Sequence, residues 1–206
     1  MATIDKEYSG VWVFVEQLEG KLATVTLELI GEAKKLASSL NVQVSAVLLG
    51  DNVETIIPTL FEYGADTVYI IDDPVFHFYR AETYMRAFCY LVEKYKPEML
   101  LMGATTTGRD LAGAVATTLK TGLTADCTAL DIDLERKILL ASRPAFGGNI
   151  MATIVCKDHR PQMATVRPKV MKIPIPEPNR TGIVVREIFA IEDRKSTRLN
   201  SSHLYD

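Results

Sequence analysis

Leu100–Leu119 reads LLMGATTTGRDLAGAVATTL, and its reading decides the fold. A short apolar run stops at Gly103, a run of small and hydroxyl residues follows, and an alternating apolar pattern begins at Leu111. An apolar run too short for a helix, followed by helical periodicity, predicts a buried strand leading into a helix. Two readings of the Gly-Ala-Thr-Thr-Thr-Gly turn stand side by side. In one, Gly103 and Gly108 admit an anion or nucleotide at the helix N-terminus, with Thr105–Thr107 and Arg109 as its polar contacts. In the other, Thr107 caps the helix and Arg109–Asp110 form a solvated first turn. The turn is neither GxxxxGK[ST] nor GxGxxG, so the residues alone lean toward the cap.

The same alternation runs outward in both directions. Gly10–Gln17 (GVWVFVEQ), Asn41–Gly50, Thr67–Asp72 and Glu98–Ala104 are apolar runs with the composition of buried strands. Between them, Thr24–Leu40, Val53–Tyr63 and Ala81–Tyr95 carry apolar stripes at helical spacing, and Arg109–Lys120 follows the fourth strand. Pro58 predicts a kink or a late start in the second helix, and Gly64 its left-handed end. Strands alternating with helices predict an α/β fold: a mostly parallel sheet covered by helices on both faces. After Thr121 the helices stop. TADCTALDID, KILLASRPAF, NIMATIVC and QMATVRP read as strands joined by short turns, so the sheet is expected to continue in the C-terminal third with antiparallel strands or a meander. Lys172–Arg180 (KIPIPEPNR) predicts an extended connector, and Gly182–Phe189 a last strand.

Composition excludes several function classes. The chain has 206 residues, 48% of them apolar, enough to bury a sizeable core. A formal charge of −3 gives no overall basic field for nucleic acid or anionic lipid. No apolar run approaches the roughly 20 residues of a membrane span, and no secretory signal is visible in MATIDKEYSG, so a cytoplasmic setting is expected. Cys89, Cys127 and Cys156 lack CxxC spacing and lie in apolar surroundings, which predicts buried reduced thiols. His77, His159 and His203 have no metal-ligand spacing, and no serine sits in a GxSxG setting. No catalytic residue and no metal site is therefore expected.

Two further segments are candidate binding elements. Thr121–Thr128 (TGLTADCT) places glycine and threonines where the alternation ends. It reads equally as a flat docking edge or as a capped helix end before an ordinary strand. Arg143–Asn149 (RPAFGGN) builds a rigid turn whose Arg143 and Asn149 suit a phosphate or flavin edge; a plain hairpin loop with a surface arginine is the commoner form of such a stretch. Glu16 and Gln17, ending the first strand, either face a pocket or mark the strand surfacing. Asp72 and Asp73 are read as loop caps.

Taken in order, VWVFVEQ, GATTTGRDLA, TGLTADCT, RPAFGGN and ATVRP make residues 8–190 resemble the alpha subunit of an electron-transfer flavoprotein, of bacterial or archaeal type. The resemblance implies an adenine-nucleotide-hydrolase-like domain over residues 1–190 that packs against a beta subunit, and an electron-carrier role in a heterodimer rather than an enzyme of its own. It implies FAD in a further alpha-subunit domain that no motif here matches, and AMP or a second FAD on the beta subunit. Acyl-CoA-type or other dehydrogenases would be the electron donors to the complex. By motif position it makes Gly122, Leu123, Thr124, Arg143 and Asn149, with Arg109, the expected lining of the interdomain cofactor site. Residues 191–206, with RKSTRLNSSH, are expected to be a non-native or disordered tail, the natural chain having been cut before its FAD domain. The alternative function is a stand-alone adenine-nucleotide-binding module of the universal-stress type.

Overall fold

The computed structural model describes residues 8–148 and 150–190. Strands β1 (Val11–Phe14), β4 (Val44–Gly50), β5 (Thr67–Asp72), β6 (Met99–Gly103), β7 (Leu123–Cys127), β11 (Gln162–Val166) and β12 (Ile183–Arg186) form one sheet. Its order is β12-β5-β4-β1-β6-β11-β7, and every neighbouring pair is parallel. Helices α1 (Thr24–Leu40) and α2 (Ile57–Tyr63) cover one face, and α3 (Ala81–Tyr95) and α4 (Thr106–Leu119) the other. The central strands β1, β4 and β6 are buried along their whole length, because both faces are roofed. The α/β class is as expected.

The C-terminal third holds the expected antiparallel strands, as a meander set apart from the main sheet. β11 does not add antiparallel to an edge; it inserts parallel between β6 and β7. The antiparallel strands instead form a separate sheet, β10-β9-β8, from β8 (Ala129–Asp133), β9 (Ile138–Ala145) and β10 (Ile150–Ile154). Leu130 and Ile132 of β8, with Leu139 and Ala141 of β9, alternate inward and join the core on the α1 side. The first strand is also shorter than expected. Glu16 and Gln17 leave it to start a tight hairpin, β2 (Gln17–Leu18) and β3 (Lys21–Leu22), which overhangs the carboxyl ends of the sheet.

Local chemistry explains the boundaries. Residues Glu54–Ile56 make a 3₁₀ turn before α2, and Pro58 falls in the first helical turn, where its missing N–H costs nothing. Gly64 ends α2 at φ 124°. Asp73 accepts Val75 N at 2.9 Å, while Asp72 accepts Asn52 N and Val53 N, so both aspartates hold loops. The cap of α4 is Thr105 and not Thr107: Thr105 Oγ1 accepts from Gly108 N at 2.9 Å, which starts the helix at Thr106. The extended connector is a strap. Leaving β11, it crosses α1 and α2 to reach β12 at the opposite edge. Glu28 accepts Lys169 N through both oxygens (3.1 and 2.8 Å), Lys34 pairs with Glu177 at 2.5 Å, and Arg180 pairs with Asp66 at 2.6 Å.

Candidate functional site

Two places at the carboxyl end of the parallel sheet gather polar groups. The first lies where chain order reverses. β1 leads through α1 to β4 on one side, and β6 returns on the other, so β1 and β6 flank the switch point where α/β sheets bind ligands. Here Thr105 Oγ1 donates to Glu16 Oε2 at 2.7 Å, tying the end of β1 to the cap of α4. Thr26, fully buried, accepts from Glu16 N at 3.0 Å and donates to Glu16 O at 3.3 Å, which holds the backbone that carries the carboxylate. Gly103 keeps this junction open, since a Cβ there would stand 3.0 Å from Val25 and 3.4 Å from Glu16 Oε2. Burial raises the Glu16 carboxyl above its ordinary value, opposed by the Thr105 hydrogen bond. A crevice of about 320 Å³ opens beside it, walled by Phe14, Leu49, Tyr79 and Tyr84 and lined at the mouth by Leu18 and Thr107.

The second place is the β7 edge, along which most of the expected residues are spread. Gly122 precedes β7, and Leu123 and Thr124 lie on it, Thr124 buried. A one-residue bulge sets Ala125 and Asp126 opposite Thr165, whose hydroxyl accepts Asp126 N at 3.0 Å. Asp126, at φ 62°, is turned by the bulge toward Arg109 Nη2 (2.7 Å) and Arg167 Nη2 (3.8 Å). Burial pushes the Cys127 thiol up to about 11, opposed by Arg143 on the neighbouring β9 and helped by Asp126. Arg109 and Arg143 are therefore brought to the carboxyl end of β7, at Asp126 and Cys127, whereas Gly122 and Leu123 lie at its amino end. Asn149 lies outside the described residues. Asp126 and Arg167 were not singled out from sequence; both sit inside quoted motifs, but only the bulge reveals their pairing.

Whether this edge holds a flavin unaided is tested by what its groups already do. Arg109 spends its guanidinium on Asp126, and the open side of Gly122 faces Cys156, whose Sγ would stand 3.0 Å from an added Cβ. These residues fit a rim and not a complete cradle. Among the described residues no group of three or more His, Cys, Asp or Glu is placed to hold a metal. No described helix is long and apolar enough to cross a membrane.

A doubly wound parallel sheet with a small antiparallel sheet on one flank, and polar corners at its carboxyl end, defines a nucleotide- or flavin-associated α/β class. The chain belongs to the electron transfer flavoprotein family: the family's electron transfer flavoprotein domain matches residues 11–191. It is similar to the electron transfer flavoprotein subunit alpha of Thermoanaerobacterium thermosaccharolyticum, 53% identical over 180 residues, 87% of this chain and 54% of that one. It is also similar to Protein FixB of Azorhizobium caulinodans, 48% identical over 200 residues (95% of this chain, 54% of that one). A third relative is the acryloyl-CoA reductase electron transfer subunit beta of Anaerotignum propionicum, 44% identical over 187 residues (80% and 51%). The chain spans about half the length of the curated relatives it matches.

Proposed function

We propose that this chain is the N-terminal domain of an electron transfer flavoprotein alpha subunit, whose complete form pairs with a beta subunit and carries electrons from dehydrogenases through flavin. The domain serves as architecture: it docks the beta subunit and supplies one wall of the interdomain cofactor site. The redox FAD belongs to a further alpha-subunit domain outside this chain, and AMP or a second FAD to the beta subunit. Gly122, Leu123, Thr124, Arg143, Asn149 and Arg109 form the wall, which a partner's groups complete. The assembly works in the cytoplasm as a carrier, with acyl-CoA-type or other dehydrogenases as donors. The name of the Anaerotignum relative, an acryloyl-CoA reductase electron transfer subunit, supports a coenzyme-A-thioester enzyme as an electron partner.

The observation that carries the docking role is β10. It is the outer strand of the small sheet, and Ile150, Met151 and Ile154 are 54%, 55% and 41% exposed, with side chains on both of its faces. An apolar edge strand left open in this way is a template for another chain. The test is co-expression of this chain with the beta subunit encoded in the same genome, followed by size-exclusion chromatography. A heterodimer is expected, and it is expected to be lost in Met151→Lys/Ile154→Lys. Failure of the unaltered chain to associate, with its circular dichroism intact, overturns the reading. The stand-alone module is not favoured, because the relatives' names point to electron transfer.

A further inference from the structure

The crevice at the switch point is not used by the reading above. In nucleotide-binding sheets of this kind, the helix N-terminus beside the switch point faces a phosphate. Here a carboxylate of the chain itself stands there: Glu16 Oε2 accepts from Thr105, the capping residue of α4. The helix's positive end and Thr105 both support this charge. Among the described residues Glu16 Oε1 accepts no hydrogen bond, and Thr107, half-buried on the crevice lining, makes none through its hydroxyl.

Other charges around the opening reinforce the sign. Glu19 lies on the overhanging hairpin, Asp51 takes up His77 at 3.0 Å, and Asp110 accepts from Tyr79 at 2.7 Å. Lys21 is the single lysine or arginine on the lining. The walls are aromatic and aliphatic, and Leu18, 75% exposed, overhangs the mouth. An acidic acceptor at the floor and aromatic walls above it suit a cation that carries N–H donors on an apolar stem. A phosphate would meet Glu16 head-on.

We propose that this crevice is a binding site for an alkylguanidinium or alkylammonium group, whose N–H donors reach the open oxygen of Glu16 while its stem lies against Leu18 and Tyr79. Glu16 is thus both the acceptor and the residue that rejects phosphate. The cation is either a free small molecule or an arginine side chain of a docked protein, and the two sources share this chemistry.

The test titrates the purified 206-residue chain with agmatine, with an acetyl-Gly-Arg-Gly-amide peptide and with AMP, reading backbone amide shifts by NMR. Saturable shifts at Glu16, Gln17 and Thr107 are expected with agmatine and absent with AMP. Glu16→Gln, which keeps an acceptor for Thr105, is expected to weaken agmatine about tenfold or more, the scale of a charge-assisted hydrogen bond. Leu18→Ala, at an exposed hairpin position, is expected to weaken it a few-fold and keeps the test decisive if the Gln variant fails to fold. Tighter binding of the peptide than of agmatine assigns the cation to a partner's arginine; weaker binding assigns it to a free molecule. No saturable shift with agmatine, equal affinity in Glu16→Gln, or AMP bound as tightly as agmatine overturns the proposal.

Discussion

Two glycines in the middle of helices respond in opposite directions to the same substitution. Gly31 lies in α1 under the strap, and an alanine Cβ there would stand 2.7 Å from Pro174 Cδ and 3.0 Å from Lys172 O. Gly113 lies in α4, with nothing within 4 Å of its added Cβ. Alanine gains about 0.5–1 kcal/mol over glycine inside a helix, because the unfolded backbone loses freedom. At Gly113 that gain stands alone, so Gly113→Ala raises stability by about 0.5–1 kcal/mol. At Gly31 the new methyl displaces a ring and a backbone carbonyl that cannot retreat freely. The strap is tied on one side by Lys169 N on Glu28, and on the other by Glu177 to Lys34 and Arg180 to Asp66. Overpacking of this kind costs about 1–3 kcal/mol, and a buried Glu28 that loses the Lys169 amide adds to it. The balance for Gly31→Ala is a net loss of about 0.5–2 kcal/mol, after subtracting the helix gain. Urea unfolding followed by circular dichroism measures both, with a melting shift of about 2–4 °C per kcal/mol expected at this size. Stabilisation of Gly31→Ala equal to that of Gly113→Ala would refute the reasoning, since the strap would then give way without cost.

Three other outcomes are expected. Burial pushes Cys89 up to about 12 and Cys127 to about 11, so both stay thiols at pH 8. Half-buried Cys156 should react first with Ellman's reagent, and two fast thiols in the native chain would contradict this. For Glu16, burial raises the folded-state carboxyl, so the folded chain holds that proton more tightly than the unfolded one. The associated stability is present at low pH and is lost as pH rises through the ordinary carboxylate range to the folded value. Glu16→Gln should therefore gain more, relative to the unaltered chain, at pH 7 than at pH 4; equal differences in urea midpoint at the two values would count against it. Met151→Lys alone, at an exposed position, should change stability by no more than about 0.5 kcal/mol while lowering the yield of heterodimer with the beta subunit in size-exclusion chromatography, and an unchanged yield would remove β10 as the docking edge.

How much was legible follows from which forces act locally. The helix α3 and the strand Thr67–Asp72 fall where periodicity puts them, because a stripe or a buried run is a property of consecutive residues. The partner of β11 was not legible. QMATV reads as a strand in any register, and its buried Gln162 is tied across to the small sheet, accepting Leu139 N at 2.8 Å and donating to Lys137 O at 3.1 Å. Those bonds come from residues more than twenty positions away, and no local pattern encodes them. The cap of α4 was misplaced by two residues for a similar reason. Three successive threonines are equivalent as sequence, and Thr105 is selected by Glu16, 89 positions away, which accepts its hydroxyl proton while its oxygen takes Gly108 N.

That one selection also bears on what the Gly-Thr turn is for. A phosphate cradle needs free backbone donors and a vacant anion position at the head of the helix. In this chain Thr105 takes one of those donors, Gly108 N, and Glu16 brings its own negative charge to the same place. Gly108 is required by backbone packing, since a Cβ there would fall 2.0 Å from Gly103 O, and Gly103 by the approach of Val25 and Glu16. The glycines that suggest a nucleotide loop are accounted for by the chain's closure on itself. The threonine and the glycines thus build a rigid, internally charged rim, and the chemistry left open beside it is that of an acceptor waiting for a cation.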